Sequence, residues 1–243
     1  MTNENVEISE RLIDKVVADS EVLIKSKSRV EKNGEVFTPR NIVRDMLNLD
    51  GIKDISYNLD TTFLEPACGN GNFIVQIIAR KLSSVRDETF DRDVIQAIST
   101  VYGVDIEEDN VCETRERVLD LVKYFYETNG RELSQDVERS ITYILNRNII
   151  FGNTLTCEKK EEERIKGVKR NSIKKLYDQR PCGEELMSIS EWQFDGDDVT
   201  RKDIFMTEMV DGRTENYYAV YEPVNMLDIS SLEDMTMNID GML

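Results

Sequence analysis

The residues best suited to hold a ligand fall in one run, Glu65-Pro66-Ala67-Cys68-Gly69-Asn70-Gly71-Asn72. Before it, Thr61 to Leu64 is β-branched and apolar, as a buried strand requires. After it, Phe73-Ile74-Val75-Gln76-Ile77-Ile78-Ala79 is apolar on nearly every side and suits a buried helix. Strand, glycine turn and helix together make a nucleotide cradle. Gly69 and Gly71 let the backbone approach a ligand, and the helix start offers N–H donors. A tight strand-to-helix turn that binds nothing can have the same spelling. A second acid, Asp105, ends a strand read over Thr100 to Asp105, where a carboxylate can accept both hydroxyls of a ribose. Ile106 beside it could lie against an adenine ring. The bland alternative for Asp105 is a turn cap before Glu107-Glu108-Asp109, acids that suit the start of the next helix. Histidine is absent, which removes Ser-His-Asp and Cys-His catalysis.

These segments produce a resemblance. Glu65 to Phe73 resembles the cofactor motif of amino-methylating DNA methyltransferases, D/E-P-A-C-G-S-G-N-F. Gly34-Glu35-Val36-Phe37-Thr38-Pro39 is similar to the G-x-x-x-T-P segment that precedes it in the adenine-specific group. Gly103-Val104-Asp105-Ile106 stands in the place of the second cofactor motif, and Phe151-Gly152-Asn153-Thr154-Leu155 resembles G-D-x-L with Asn for Asp. The four segments occur in family order. The resemblance implies an α/β, Rossmann-like, S-adenosylmethionine-dependent methyltransferase fold: three layers around a mostly parallel sheet with helices on both faces. It implies that S-adenosylmethionine is held by Phe37, Thr38, Glu65, Ala67, Gly69, Gly71, Asp105, Ile106 and Asn153. Thr38 would touch the carboxylate at the methionine end, with Phe37 packed beside it. Asn153 would take the adenine amino group through its side-chain oxygen. An S-adenosyl ligand has no pyrophosphate, so the third glycine of the dinucleotide fingerprint is not needed.

The family's catalytic N/D-P-P-Y/F motif is absent. The four prolines are Pro39, Pro66, Pro181 and Pro223, and no two are adjacent. In the family that motif holds the weakly nucleophilic adenine nitrogen and stacks on the flipped base, which is positioning plus a fixed electrostatic environment. Without it no catalytic residue is assigned. Asp195 to Asp198, near a strand end, offers carboxylates but no supported spacing. Two readings follow. One is a reduced or incomplete DNA adenine methyltransferase of the restriction-modification or phage type. The other is an inactive cofactor-binding or regulatory protein, one form of which is an acidic DNA mimic.

The supporting elements divide the chain into a helical segment at 1–33, a cofactor-binding core at 34–157 and a charged, irregular region at 158–243 that completes or extends the sheet. Val6 to Lys27 reads as one amphipathic helix, with Ile8, Leu12, Ile13, Val16 and Val17 at three- and four-residue steps. It packs on the core or docks on a protein partner. Ser26 to Lys32 is polar and basic. Pro39 suits the first turn of a helix over Arg40 to Leu49, with Thr38 as its cap. Helices are expected to about Ser84 and over Asp91–Thr100, Asp109–Glu127 and Ser134–Leu145. Strands are expected over Asn148–Phe151, Ser188–Phe194 and Tyr217–Tyr221.

Composition narrows the classes. The net charge is −17, and an acidic body repels a duplex. Glu158 to Arg180 is the one extended basic stretch, with nine Lys or Arg against five Asp or Glu, whereas Glu184 to Leu243 has fifteen acidic and three basic residues. DNA is therefore a candidate partner chiefly in company with another subunit, and the acidic C-terminal region is a second candidate surface for a protein. The four cysteines, Cys68, Cys112, Cys157 and Cys182, are far apart with no C-x-x-C, so no metal site is expected. Reduced thiols, a polar start and the lack of a membrane-spanning run point to a cytoplasmic protein without membrane contact.

Overall fold

The computed structural model describes residues 2–16, 23–155, 158–159, 187–206, 217 and 219–233. The order is α1 (Asn3–Val16), α2 (Lys27–Asn33), α3 (Arg40–Leu47), β1 (Phe63–Glu65), α4 (Asn72–Leu82), α5 (Phe90–Ser99), β2 (Val101–Asp105), α6 (Glu108–Thr128), α7 (Gln135–Asn148), β3 (Ile149–Asn153), β4 (Glu158–Lys159), β5 (Ser188–Asp195), β6 (Asp198–Phe205), β7 (Ala219–Val220) and β8 (Val224–Asn225). A 3₁₀ run, Met226–Glu233, follows.

Strands β1, β2 and β3 are adjacent and parallel, with Phe63 opposite Val101 and Gly103 opposite Ile149. β4 adds antiparallel to β3. Each parallel link crosses over through helices, as parallel strands require. The helices lie on the face that presents Val101 and Ile149, in one core with Ile74, Ile78, Ile95, Leu121 and Ile144.

The opposite face differs from the expectation of helices on both sides. It presents Tyr102, Val104 and Ile150, which pack on Met187, Ile189, Ile204 and Met206. These belong to or flank a second, antiparallel sheet in which β5 pairs with β6, and β7 and β8 pair with β6. A strand buried on both faces is apolar whatever covers it, so the sequence shows that this face is covered and not by what. The region after 158 was expected to complete or extend the first sheet. Among the described residues only β4 does so, and β5 to β8 form their own sheet. Among the described residues, polar contacts join the second sheet to the rest: Tyr102 donates to the Ser190 carbonyl at 2.7 Å, Trp192 Nε1 donates to Asn148 Oδ1 at 3.0 Å, and Arg201 Nη1 donates to the Tyr143 hydroxyl at 2.6 Å. Gly196, at φ 62, turns the β5–β6 hairpin, so Asp195 to Asp198 form a hairpin tip.

The single helix expected from Val6 to Lys27 is instead two. α1 covers Asn3–Val16, residues 17–22 lie outside the described residues, 23–26 are not helical, and α2 begins at Lys27. Ser26 keeps the expected helix from reaching Lys27: at φ −157, ψ 153 it is an extended cap whose hydroxyl accepts from Arg29 N–H, and a helix cannot run through its own N-cap. α1 buries Leu12 and Ile13. Before α3 the cap position falls on Pro39 with no side-chain hydrogen bond, so Thr38 is not a cap. Ser134 does cap α7, accepting from Val137 N–H. Tyr217–Tyr221 contracts to the two-residue β7 among the described residues. The basic stretch lies outside them apart from Glu158 and Lys159, as do 234–243 of the acidic region.

α4 carries two buried cations. Arg80 donates to the Leu47 carbonyl at 2.7 Å and to Asn48 Oδ1 at 2.9 Å, closing the end of α3. Lys81 is fully buried and donates to the carbonyls of Asn58, Leu59 and Thr61 and to Thr100 Oγ1. It thereby ties the chain entering β1 to the chain entering β2. Burial pushes its pKa down to about 7.

Candidate binding site at the strand ends

A cavity of about 370 Å³ opens where β1, β2 and β3 end, the side of a parallel sheet at which α/β proteins bind ligands. One wall is the turn from Glu65 to Phe73. A second is the segment from Asn33 to Thr38. A third is Gly152 to Leu155, and Asp105 and Ile106 lie at the end of β2. The volume falls within the roughly 300–1,000 Å³ of small-molecule pockets.

The glycine turn is held from below. Cys68 N–H donates to the Val104 carbonyl at 2.9 Å, and Gly71 N–H to the Cys68 carbonyl at 2.9 Å. Gly69 N–H donates to Asp105 Oδ2 at 2.8 Å. From α6, Thr114 Oγ1 donates to the Gly69 carbonyl at 3.2 Å, and Arg117 donates to the Asn70 carbonyl and to Asn72 Oδ1. Both glycines are left-handed, Gly69 at φ 54 and Gly71 at φ 85. A Cβ on Gly69 would meet the Phe37 ring at 2.9 Å, and one on Gly71 would meet Thr114 at 2.7 Å.

The second wall is clamped by charge. Lys25 pairs with Asp109 and Glu113 at 2.9 and 2.6 Å, and Arg29 pairs with Glu35 and Asp109 at 2.7 and 2.8 Å. The acids at the start of α6 thus receive the basic residues of Lys25 to Arg29 as well as facing the helix N-terminus. The Arg29 guanidinium, assisted by Lys25, holds Asp109 down to about 2. Burial lowers the Lys25 pKa, but its hydrogen bonds to Glu113 and Asp109 more than offset that. Phe37 is buried beneath this clamp, and its N–H donates to the Leu23 carbonyl at 2.8 Å. The Thr38 carbonyl accepts from Asn72 Nδ2 at 2.9 Å, which joins the first two walls.

Eight of the nine residues singled out from sequence line this cavity: Phe37, Thr38, Glu65, Ala67, Gly69, Asp105, Ile106 and Asn153. Gly71 does not. It sits one step below, as the left-handed residue before α4, its N–H and carbonyl both taken by the chain. Asp105 is heavily engaged: Oδ2 accepts from Gly69, and Oδ1 accepts from Glu107 N–H at 2.9 Å and Asn110 Nδ2 at 3.0 Å. The Asn153 side-chain oxygen accepts from Leu155 N–H at 3.0 Å, leaving one lone pair for a ligand. Burial raises the Glu65 pKa, opposed by the Ala67 N–H, and burial pushes the Cys68 thiol up as well, so that thiol is no nucleophile. Asp195 to Asp198 are not among the lining residues.

Sequence reasoning missed Glu35, Asn110, Thr114, Arg117 and Leu155. Leu155 is a large apolar side chain, 95% exposed, at the cavity mouth, suited to cover a flat ring. Among the described residues the lining carries three carboxylates, Glu35, Glu65 and Asp105, and no Lys or Arg. Such a site receives hydroxyl or ammonium donors and cations, and it disfavours phosphates, which need positive partners.

Over 75 residues the chain is 35% identical to the type II restriction enzyme and methyltransferase RM.BcgI of Heyndrickxia coagulans, a stretch covering 31% of this chain and 11% of that protein. The likeness supports a methyltransferase-like relationship. The chain corresponds to a small part of that relative's length. No family model matches the chain, and no solved structure matches it. No helix among the described residues is long and apolar enough to cross a membrane.

Proposed function

We propose that the chain binds S-adenosylmethionine in the cavity at the strand ends, on a Rossmann-like methyltransferase fold, and belongs to DNA adenine methylation without carrying the base-accepting groups itself. The observation that carries this reading is the lining formed by the described residues: three carboxylates, no basic side chain, and a left-handed glycine turn. An adenosyl sulfonium brings positive charge and hydroxyl donors and no phosphate. The partial likeness to a restriction enzyme and methyltransferase supports the same reading.

The residues fit such a ligand. Glu35 holds a buried carboxylate oxygen, Oε1, without a partner among the described residues, so the site is short of a donor. Gly69 lines the wall with backbone alone. Ile106 and Leu155 offer apolar cover for the adenine, and Asn153 keeps a lone pair for its amino group. Thr38 stands at the wall assigned to the methionine end. When bound, the cofactor supplies a methyl group on a positively charged sulfur. The chain's own work is to orient that ligand on a turn already hydrogen-bonded in place, which lowers the ordering cost of binding.

The lack of an Asn-Pro-Pro segment in 243 residues favours the second part of the proposal. Methyl transfer from labelled cofactor to mixed-sequence DNA, by the chain alone at low salt, is expected to be weak or absent. Robust turnover that is lost on Gly69→Trp would refute it by revealing a substitute for the missing motif. Titration calorimetry with S-adenosylhomocysteine tests the cofactor itself. Binding should weaken at least about tenfold, roughly 1.4 kcal/mol, in Asp105→Ala. No binding to the wild-type chain would overturn the reading.

A further inference from the structure

Glu35 follows the left-handed Gly34 that ends α2, and its side chain is only 9% exposed. Its two oxygens are used very differently. Oε2 accepts from Arg29 Nε at 3.0 Å and from Asn110 Nδ2 at 3.0 Å. Oε1 is buried and has no hydrogen-bond partner among the described residues. A buried carboxylate oxygen left without a donor is costly. An acceptor of this kind takes a donor from an ordered water or from a ligand that brings a hydroxyl or an ammonium.

Its neighbour decides which. Asn110 is fully buried, and its Nδ2 also donates to Asp105 Oδ1 at 3.0 Å. One amide therefore holds two carboxylates side by side at the cavity, Glu35 by Oε2 and Asp105 by Oδ1. Asp105 already accepts three hydrogen bonds from the protein, and a carboxylate has about four acceptor sites. It can take one more donor, whereas a vicinal diol brings two. Two buried acceptors beside it have no partner among the described residues, Glu35 Oε1 and Asn110 Oδ1, and of these two residues Glu35 is the one that lines the cavity.

We propose that Glu35 accepts one ribose hydroxyl of an adenosyl ligand through Oε1 and shares the diol with Asp105; this rests on the cofactor reading above. The Arg29 ion pair fixes Glu35 and balances its charge, and Glu35 lines the cavity with its second oxygen buried and unspent. The role differs from that expected of Asp105 alone. Asp105 mainly braces the glycine turn, and selection for an intact diol needs both carboxylates.

The test is calorimetry on the full chain with two probes, S-adenosylhomocysteine and its 2′,3′-dideoxy analogue. The wild-type chain should favour the intact diol. Glu35→Gln keeps the shape and the Asn110 bond but puts an N–H₂ donor in place of Oε1, and the preference should fall about tenfold. Glu35→Ala, checked for folding by its thermal midpoint, should lose it to the same extent. A merely structural role for Glu35 would weaken both probes alike and leave their ratio unchanged, which would overturn the assignment while the cofactor reading stands. A wild-type chain that binds neither probe would overturn both.

Discussion

Gly71→Ala isolates the scaffold of the turn from its ligand-facing surface, because Gly71 does not line the cavity. Two costs add. At φ 85 an L-residue sits in the left-handed region, worth about 1–2 kcal/mol. The new Cβ would lie 2.7 Å from Thr114 Cγ2 and Oγ1 and 3.0 Å from its Cβ. Thr114 is fully buried and its hydroxyl is bound to the Gly69 carbonyl, so it cannot swing away freely. Overpacking of this sort costs about 1–3 kcal/mol, which puts the total near 2–5 kcal/mol. A domain of ordinary stability, about 5–15 kcal/mol, survives that but shows it clearly. Urea denaturation at pH 7 should report the loss. Thr114→Ala removes the two shortest contacts, so the double variant should recover about 1–3 kcal/mol relative to the sum of the singles, while the backbone strain remains. S-adenosylhomocysteine should also bind more weakly to Gly71→Ala, because Gly71 shares the turn with Gly69. A loss below about 1 kcal/mol, or the absence of coupling to Thr114, would refute the reasoning.

Two further outcomes are expected. Lys81→Met removes the donor that serves three carbonyls and Thr100 Oγ1; urea denaturation should show a loss of at least about 1–3 kcal/mol, the cost of leaving a buried acceptor unpaired, with affinity for S-adenosylhomocysteine unchanged at a temperature where the variant is folded, since Lys81 does not line the cavity. Asp109, held to about 2 against an ordinary 3.8, stabilises the clamp fully above its ordinary value and loses that contribution as pH falls through its folded value; urea midpoints of the wild type and Asp109→Asn should therefore differ at pH 6 and converge as pH falls from 4 toward 2.

The parallel core was legible because each of its parts has a local cause. The strands at Phe63, Val101 and Ile149 are short apolar runs bounded by turn residues, and the helices between them show three- and four-residue spacing. Their boundaries fell within a few residues of those observed. Ser134 was legible as a cap because its hydroxyl acts within one turn. What failed were readings in which a neighbour decides. Ser26 keeps the expected first helix from reaching Lys27, because its hydroxyl caps the next one. The second sheet was legible as strands, since Trp192 and its neighbours alternate. That it lies on Tyr102 and Ile150 instead of extending the first sheet depends on contacts between segments far apart in the chain.

The site divides the same way. Residues that act through backbone shape or from a strand end, Gly69, Glu65 and Asp105, could be read from spacing, and they line one cavity. Those that act through another side chain could not. Arg29 looked like one of several basic residues in a polar stretch, and Asp109 like an acid placed for a helix dipole. Their pairing at 2.8 Å turns both into a clamp over the cavity. Glu35 occupies a position that the resembling G-x-x-x-T-P segment leaves open, so no pattern marks it. Its significance comes from two hydrogen bonds to Oε2 and none to Oε1, a difference between two atoms of one carboxylate. Neither composition nor periodicity carries information at that scale. A carboxylate at the cavity wall with one oxygen spent and one buried oxygen unspent adds to the glycine turn a polar group that a ligand's hydroxyl would satisfy.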